Sequence, residues 1–191
     1  MPIDNASWHY DAANFPPRRP KENGGNHTGY FLTWILMNHL EGDEHKEDKS
    51  VARVADAVRT RKRTGRDFLF EICDEKFIED DLSAKGLAFT EHYYDDVFND
   101  DYFAVFGTDE EHMYEVDWTW SNYDKLAPVM DRRFAEWKAS QARKPTKKAA
   151  PALKPTKKAA PPKKEKKKAK AKQPKKPKKP KKPNTKKKRQ G

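Results

Sequence analysis

The chain has 191 residues, of which 37% are charged and 35% hydrophobic, and its formal net charge is +11. Its single cysteine, Cys73, excludes an intramolecular disulfide, and no apolar run approaches the about 20 residues that a membrane-spanning helix needs. The opening residues also lack a basic region followed by an apolar run, so we expect a cytoplasmic protein without a secretory signal.

The positive charge is confined to one end of the chain. Residues 1–143 contain 18 Lys and Arg against 29 Asp and Glu, a formal charge of −11, whereas residues 144–191 contain 23 Lys and Arg and a single acid, a charge of +22. Every Trp, Tyr and Phe lies in the first part. We therefore predict an acidic globular domain over 1–143 and a disordered tail over 144–191, because the tail has too few apolar side chains to offset the entropy cost of ordering.

Apolar residues of the domain recur mostly at helical spacing. Three prolines make the opening segment an extended loop, with Trp8, Tyr10 and Phe15 as its anchors to the rest. Thr28 is a candidate N-cap for a helix that runs to about Leu40. Because this helix is apolar nearly all round, we expect it at the centre of the fold.

The middle of the domain contains signals for three further helices. Ser50 is a candidate N-cap for a helix that ends near Gly65, with apolar residues at i, i+3, i+4 and i+7. Shorter apolar patterns predict helices over 67–73 and over about 81–98.

The end of the domain combines a strand signal with a helix signal. Residues 112–120 alternate and are rich in aromatics, which makes them the best strand candidate, although no partner strand is evident. A last helix is predicted over 122–139, and Pro128 suggests that it begins near Ala127. Together the patterns predict a mostly α fold, a single compact helical domain with little or no strand.

The tail repeats one phrase. KPTKKAAP occurs at 144–151 and again at 154–161, and the triplet PKK follows in succession at Pro174, Pro177 and Pro180. Frequent proline favours an extended chain, and closely spaced lysines suit the phosphates of duplex DNA or RNA. No aromatic side chain is present for base stacking, so the binding should ignore sequence. The lysines expected to contact nucleic acid are Lys147, Lys148, Lys157, Lys158, Lys166, Lys167, Lys175, Lys176, Lys178, Lys179, Lys186 and Lys187.

This composition resembles the Lys/Ala/Pro tails of linker histones and of bacterial histone-like proteins. The resemblance implies nucleic-acid binding and, where the partner is DNA, association with the nucleoid. Nucleic acid is the partner that the charge density favours. Two alternatives stay open: a tail that only raises solubility or surface adhesion, and a tail that folds back on the acidic domain.

In the segment ENGGNHTGYFLTW, 22–34, two glycines come shortly before the start of the first predicted helix. Free backbone N–H groups at a helix N-terminus can hold an anion, but this segment has no Walker lysine, no GxGxxG pattern and no preceding strand. We favour a structural interpretation, in which the glycines allow a tight turn and His27 or Thr28 caps the helix.

Residues that could support catalysis or metal binding form no known pattern. None of the six histidines falls in HExxH or in a paired Cys/His spacing, although His39 and His45 are close in sequence. Cys73 lies beside Phe70 and Ile72 and is expected to pack as a small apolar residue. We therefore predict no metal site, no cofactor and no enzymatic activity.

The stretch 91–117 contains ten acids and no Lys or Arg, with aromatic residues between them. Negative charge raises the association rate of a basic protein and aromatic rings provide anchors, so the stretch is a candidate docking surface. An ordinary helix face with inward aromatics explains the pattern equally well. The candidate docking residues are Tyr94, Asp95, Asp96, Asp100, Asp101 and Tyr102.

Four stretches of the domain resemble one uncharacterised family of small bacterial proteins: WHYDAANFPP at 8–17, ENGG.H.G at 22–29, TGRDFLFEICDEKF at 64–77 and APVMDRRFAEWK at 127–138. The family is associated with immunity proteins of contact-dependent or polymorphic toxin systems. The resemblance implies binding to a toxin and carries over no catalytic residues. The lysine-rich tail departs from the usual members, which end near the last helix.

Two functions are compatible with these observations. The first is a non-enzymatic binding protein, in which an acidic helical domain binds a protein partner and the tail binds nucleic acid without sequence preference. The alternative is an immunity protein that neutralises a basic toxin, with the tail incidental to that role.

Overall fold

The computed structural model describes residues 2–143 of the chain. Within this range the helices are α1 (Ala6–Tyr10), α2 (Asn26–Met37), α3 (Glu44–Glu47), α4 (Lys49–Arg59), α5 (Gly65–Glu71), α6 (Ala84–Tyr93), α7 (Asn99–Phe106) and α8 (Trp120–Arg143). Short 3-10 helices cover Lys21–Gly25, Glu79–Asp81 and Met113–Glu115, and a π-helical turn covers Tyr94–Phe98. The predicted mostly α fold is confirmed. The predicted tail, with all of its candidate lysines, lies outside the described residues.

Helix α2 lies at the centre of the domain, as its all-round apolar sequence predicts. Every residue from Asn26 to Leu36 is buried. The helix begins after Gly25, and neither His27 nor Thr28 caps it, because both side chains bind a carboxylate from elsewhere in the chain. The segment that precedes α2 is therefore tied to the core by tertiary contacts rather than by a local cap.

Helix α5 packs on α2 at a distance that only glycine permits. A β-carbon on Gly65 would lie 2.3 Å from the Thr33 nitrogen and 2.4 Å from the Gly29 oxygen. One on Gly29 would lie 2.8 Å from the Arg66 α-carbon. The Gly65 N–H uses this proximity and donates to Thr33 Oγ1 at 2.8 Å. A larger residue at either glycine would force the two backbones apart.

Side chains at the N-termini of α4 and α5 set where these helices begin. Asp48 rather than Ser50 caps α4, since its Oδ1 accepts from the backbone N–H groups of Ser50 at 2.7 Å and Val51 at 3.3 Å. The Thr64 hydroxyl accepts from the Asp67 N–H at 3.0 Å, and the Asp67 carboxylate accepts from the Thr64 N–H at 2.8 Å. This reciprocal capping box starts α5 ahead of its predicted position.

The helix predicted over 81–98 is divided in the structure. Ser83 caps α6, its hydroxyl accepting from the Gly86 N–H at 3.2 Å, and the π-helical turn then leads directly into α7. The wider turn shifts the phase of the apolar pattern, so that Tyr93, Tyr94 and Phe98 are all buried. For this reason the sequence pattern did not predict helix α7.

Helix α8 runs through Pro128 instead of beginning near Ala127, so that prediction is wrong. Pro128 lies on the exposed side of the helix, where solvent can reach the carbonyl that the missing N–H leaves unpaired. The opposite side buries five apolar residues, which stabilise the helix on both sides of the proline. They are Tyr123, Leu126, Met130, Phe134 and Trp137.

The prediction of a strand over 112–120 is also wrong. Met113–Glu115 is a 3-10 helix, and nearby backbone carbonyls accept from side chains: Asn23 Nδ2 donates to Tyr114 O at 2.9 Å, and Asn26 Nδ2 donates to Val116 O at 2.9 Å. Amide side chains thus satisfy backbone groups that a partner strand would have satisfied. The sequence alternation reflects aromatic packing and no strand pairing.

The strands of the described region lie elsewhere, as a two-residue antiparallel pair between β1 (Asp4–Asn5) and β2 (Lys76–Phe77). Helix α1 follows β1 directly where an extended loop was predicted. Trp8 of α1 does not anchor this segment, since 56% of its surface is exposed. The β pair therefore holds the N-terminal segment, and Trp8 is left on the surface.

Candidate functional site

A buried carboxylate forms the centre of a polar cluster at the N-terminal end of α2. Asp4 pairs with Phe77 in the β1–β2 register, which points its side chain into the domain, where it is 6% exposed. Its Oδ1 accepts from the Asn5 N–H at 2.7 Å. We call Asp4 and the side chains on it, His9, His27, Thr28 and Tyr94, the Asp4 cluster.

Two histidines from different helices contact opposite oxygens of Asp4. His9 Nε2 lies 2.8 Å from Asp4 Oδ1, and His27 Nε2 lies 3.1 Å from Asp4 Oδ2. Asn5 caps α1, its side chain accepting from the Ser7 N–H at 2.9 Å, and the short helix returns His9 over Asp4. The two imidazole rings are 4.3 Å apart, edge to face.

Two hydroxyl groups complete the shell around Asp4. Thr28 Oγ1 donates to Asp4 Oδ2 at 2.7 Å, and the Tyr94 hydroxyl donates to the same oxygen at 2.7 Å. With the histidines and the Asn5 N–H, five donor groups face a carboxylate that has about four lone-pair positions. The Asp4 carboxylate is therefore fully hydrogen-bonded, which accounts for its burial.

Burial and hydrogen bonds shift the pKa values of three members of the cluster. Burial disfavours the ionised form of Asp4, but the hydrogen bonds from His27 and His9 outweigh it and hold the Asp4 pKa well below its ordinary value. Burial lowers the pKa of His27 in spite of the Asp4 carboxylate. Burial and the Asp4 charge raise the pKa of Tyr94 well above its ordinary value. At neutral pH an anionic Asp4 therefore faces a neutral His27 and a neutral Tyr94.

The Asp4 cluster opens to the surface beside Trp8. Asp4, His9 and His27 line a cleft of about 210 Å³ together with Trp8 and Asp95. A second cleft, of about 480 Å³, shares Trp8 and His9 with the first. Both clefts thus form one continuous concave face. We call it the Trp8 surface, formed by Trp8, His9, Asp95, Asn99, Phe103 and Glu110.

The docking residues predicted from the acidic stretch fall into two groups. Asp95, Asp96 and Asp100 are exposed, and Asp95 lines the Trp8 surface. Tyr102 is buried in the core and cannot be part of a docking surface, so that part of the prediction is wrong; Tyr94 is buried too, although it lines the smaller cleft. The π-helical turn explains the difference, because it turns these rings inward.

Asp101, the remaining predicted docking residue, is also buried. Its carboxylate accepts from Arg133 Nε and Nη2, both at 2.8 Å, and from the Tyr93 hydroxyl at 3.0 Å. This ion pair joins α7 to α8. The prediction of a surface role for Asp101 is therefore corrected to a role in helix packing.

A second histidine–carboxylate contact lies beside Cys73. His45 Nε2 is 2.8 Å from Asp81 Oδ1, while Asp81 Oδ2 accepts from the Ile78 N–H at 2.7 Å. Burial and the nearby Asp81 charge raise the pKa of Cys73 far above its ordinary value, so the thiol stays protonated. His39 is exposed and takes no part. Cys73 packs against the apolar core, as predicted.

Sequence spacing does not reveal the Asp4 cluster. Asp4, His9 and His27 match no metal or catalytic motif, and they meet only because the β pair and α1 fold onto the start of α2. One signal was present: His27 lies at the start of a helix that is apolar nearly all round, where a histidine must find a polar partner.

Comparison with known proteins identifies a family without a described activity. No curated protein and no solved structure matches the chain. Among residues 2–143, no helix is long and apolar enough to cross a membrane. A family model described as a domain of unknown function, DUF7832, matches residues 2–116, which contain the Asp4 cluster and the Trp8 surface. The resemblance to an uncharacterised family is thereby confirmed, and the chain belongs to the DUF7832 family.

Proposed function

We propose that the chain is a non-enzymatic binding protein with two binding parts. The acidic helical domain docks a basic protein, and the lysine-rich segment, 144–191, holds nucleic acid without sequence preference. The observation that carries the proposal is the division of charge, −11 over 1–143 against +22 over 144–191. Such a division serves two different partners better than one.

The lysine-rich segment suits a polyanion. Each phosphate that a lysine neutralises releases condensed counterions, so binding strengthens with the number of lysines that bind phosphates. The segment contains no aromatic residue and a single Arg, Arg189, so it offers little for stacking or for recognition of base edges. Binding to DNA would place the protein at the nucleoid.

The Trp8 surface suits a basic protein. Trp8 is the large apolar side chain that is left exposed among residues 2–143, and tryptophan is enriched at the energetic centres of interfaces. In the part of the chain that the structure describes, Asp95, Asp96 and Asp100 form no ion pair with Lys or Arg. Their unneutralised charge favours rapid association with a positive partner.

A salt series of duplex DNA binding tests the nucleic-acid half. The wild-type chain should show a steep fall of log K with log salt, and removing one lysine that neutralises a phosphate should reduce the slope by about 0.9. Replacing Lys175, Lys176, Lys178 and Lys179 by Gln should therefore flatten the slope by about 3 to 4. The control replaces four exposed domain lysines, Lys49, Lys62, Lys125 and Lys138, and should leave the slope unchanged. Equal slopes for the two variants would refute this half.

Charge reversal tests the docking half. Lysine in place of Asp95, Asp96 and Asp100 should abolish capture of a basic partner by the immobilised full chain. The control reverses three exposed acids elsewhere, Glu22, Glu44 and Glu47, and should retain capture. Capture that survives reversal of the first set, or that both sets abolish, would show that these three acids do not dock the partner.

A second candidate function is immunity to a basic toxin. It is favoured by the position of the family match, since residues 2–116 include the Trp8 surface but not the lysine-rich segment. In this case the captured partner is a toxin, and a chain truncated after residue 143 should protect cells as well as the full chain. Under the first proposal the truncation should lose function together with DNA binding.

A further inference from the structure

Three side chains of the Asp4 cluster present the donor atoms that divalent transition-metal ions prefer. One ligand atom from each of Asp4, His9 and His27 lies within 4.8 Å of the other two. Imidazole nitrogen and carboxylate oxygen bind Zn²⁺ at about 2.0–2.2 Å, so an ion placed among them requires only small side-chain movements. Two histidines and one carboxylate also form a common ligand set for the neighbouring first-row metals.

Outer contacts already orient two of the three ligands. The Tyr114 hydroxyl lies 3.0 Å from His9 Nδ1, the ring nitrogen that faces away from Asp4. Thr28 and Tyr94 both hold Asp4 Oδ2, and the Asn5 N–H holds Oδ1, so these hydrogen bonds fix the orientation of the carboxylate. Bound metal ligands usually have such partners, and their loss typically weakens metal affinity 10- to 100-fold.

Charge favours a cation at this position. In the described residues, Asp4 forms ion pairs only with His9 and His27, and no Lys or Arg neutralises it. No guanidinium or ammonium group of these residues therefore competes with an added cation for the carboxylate.

Ion binding requires each histidine to present the lone pair of Nε2, the ring nitrogen that faces Asp4. The ring N–H is then on Nδ1, and in His9 this atom faces the Tyr114 hydroxyl at 3.0 Å.

We propose that Asp4, His9 and His27 form a binding site for one divalent transition-metal ion of the Zn²⁺ class, with open coordination positions that face the Trp8 surface. Three protein ligands beside a cleft are the arrangement of metal sites that keep a position for water, whereas structural zinc sites close with four protein ligands. This inference goes beyond the proposed binding function, because it assigns a ligand to the floor of the docking surface.

The second histidine–carboxylate contact, at His45, Cys73 and Asp81, also brings three possible ligand atoms within 4.8 Å of one another. A metal there would have a distinct signature, because thiolate ligation to Co²⁺ gives an intense near-ultraviolet charge-transfer band. The same titration therefore separates the two sites.

Titration of the chelator-treated full chain with Co²⁺, followed by visible absorption, tests the proposal. The wild type should bind one Co²⁺ with the visible bands of a four- or five-coordinate ion, and added Zn²⁺ should abolish them. His9→Ala should bind at least 100-fold more weakly, and Tyr114→Phe 10- to 100-fold more weakly. The control, His112→Ala, removes an exposed histidine that contacts Asp109 and should bind as the wild type does.

Circular dichroism of the metal-free proteins shows whether each variant is folded. His9 is partly exposed, so His9→Ala should remain folded, whereas His27 is buried and its substitution is not needed for the decision. The proposal is overturned if folded His9→Ala binds Co²⁺ as tightly as the wild type. It is equally overturned if the wild type gives only the weak spectrum of hexa-aqua Co²⁺, or a thiolate band that Cys73→Ser removes.

Discussion

Asp4 and Asp101 are buried to the same extent, 6% and 8% exposed, yet their carboxylates are stabilised in different ways. Asp101 accepts two hydrogen bonds from the guanidinium of Arg133, so its charge is neutralised within the pair. Asp4 has no such partner among the described residues and is surrounded by imidazole, hydroxyl and amide donors.

The two carboxylates can therefore have different roles. An ion pair with arginine fixes two helices and leaves no charge for a third group. A carboxylate held by imidazole, hydroxyl and amide donors is equally well hydrogen-bonded but has no arginine beside it, so a cation can still bind there. The ion pair between Asp101 and Arg133 thus holds α7 against α8, and the Asp4 cluster is a candidate binding site.

Asp4→Asn should have the largest effect on stability. The substitution keeps the shape of the side chain but removes the charge on which five donors converge, so we expect a loss of about 3 to 4 kcal/mol in the free energy of unfolding. Urea unfolding followed by tryptophan fluorescence measures it. A smaller loss than that of Asp101→Asn would show that the charge of Asp4 contributes less to stability than that of Asp101.

Asp101→Asn should lose less, about 2 kcal/mol at neutral pH, because Arg133 is partly exposed and solvent can take over its charge. Burial opposes ionisation of Asp101, but the hydrogen bonds of Arg133 and Tyr93 hold its pKa below the ordinary value of 3.8. A lowered pKa in the folded state means that the contribution is complete above about pH 4 and is lost as the pH falls further.

The pH dependence can therefore be read directly from unfolding curves. The difference between wild type and Asp101→Asn should be constant from about pH 8 to 5 and should shrink below about pH 4. A difference that grows toward acid pH would show that the ion pair is not what stabilises the contact.

Tyr93→Phe should cost about 1 kcal/mol, since it removes one neutral donor from Asp101 and leaves both arginine bonds in place. The adjacent substitution, Tyr94→Phe, should cost less, because Asp4 has more donors than lone-pair positions. Thermal unfolding of the two variants at equal concentration gives the order. The reverse order would mean that the Tyr94 hydroxyl is essential to the Asp4 cluster.

Trp8→Ala should have the smallest effect, within about 0.5 kcal/mol, because most of the side chain is exposed. This result would show that the Asp4 side of the domain is not generally sensitive to substitution. A loss above about 1 kcal/mol would indicate that Trp8 is structural and weaken its assignment to a docking surface.

The sequence predicted the elements whose signals are local. Helix α2 could be placed at the centre because it is apolar nearly all round, and α4 because its apolar residues repeat at helical spacing. Helix α7 could not be predicted, because the π-helical turn breaks the period before it. The prediction of a strand over 112–120 failed because alternating aromatic residues resemble a strand pattern even where side chains bind the backbone carbonyls.

The candidate site was beyond local patterns for a related reason. Asp4 is placed by pairing with Phe77, far along the chain, and no spacing rule links it to His27. The buried acid Asp101 looked like its exposed neighbours, since the sequence does not show that Arg133 lies opposite. The proposed docking surface is therefore built around Trp8 and not around the tyrosines predicted from the sequence.

Binding of a cation by the Asp4 carboxylate is tested most directly by the Zn²⁺-dependent stability of the wild type, Asp4→Asn and Asp101→Asn. If the Asp4 carboxylate keeps a charge for a cation, free Zn²⁺ at about 100 times its Kd should stabilise the wild type and Asp101→Asn by about 2.7 kcal/mol each, relative to their own metal-free forms. Asp4→Asn should gain nothing. Equal stabilisation of Asp4→Asn and Asp101→Asn, or none in the wild type, would contradict the account.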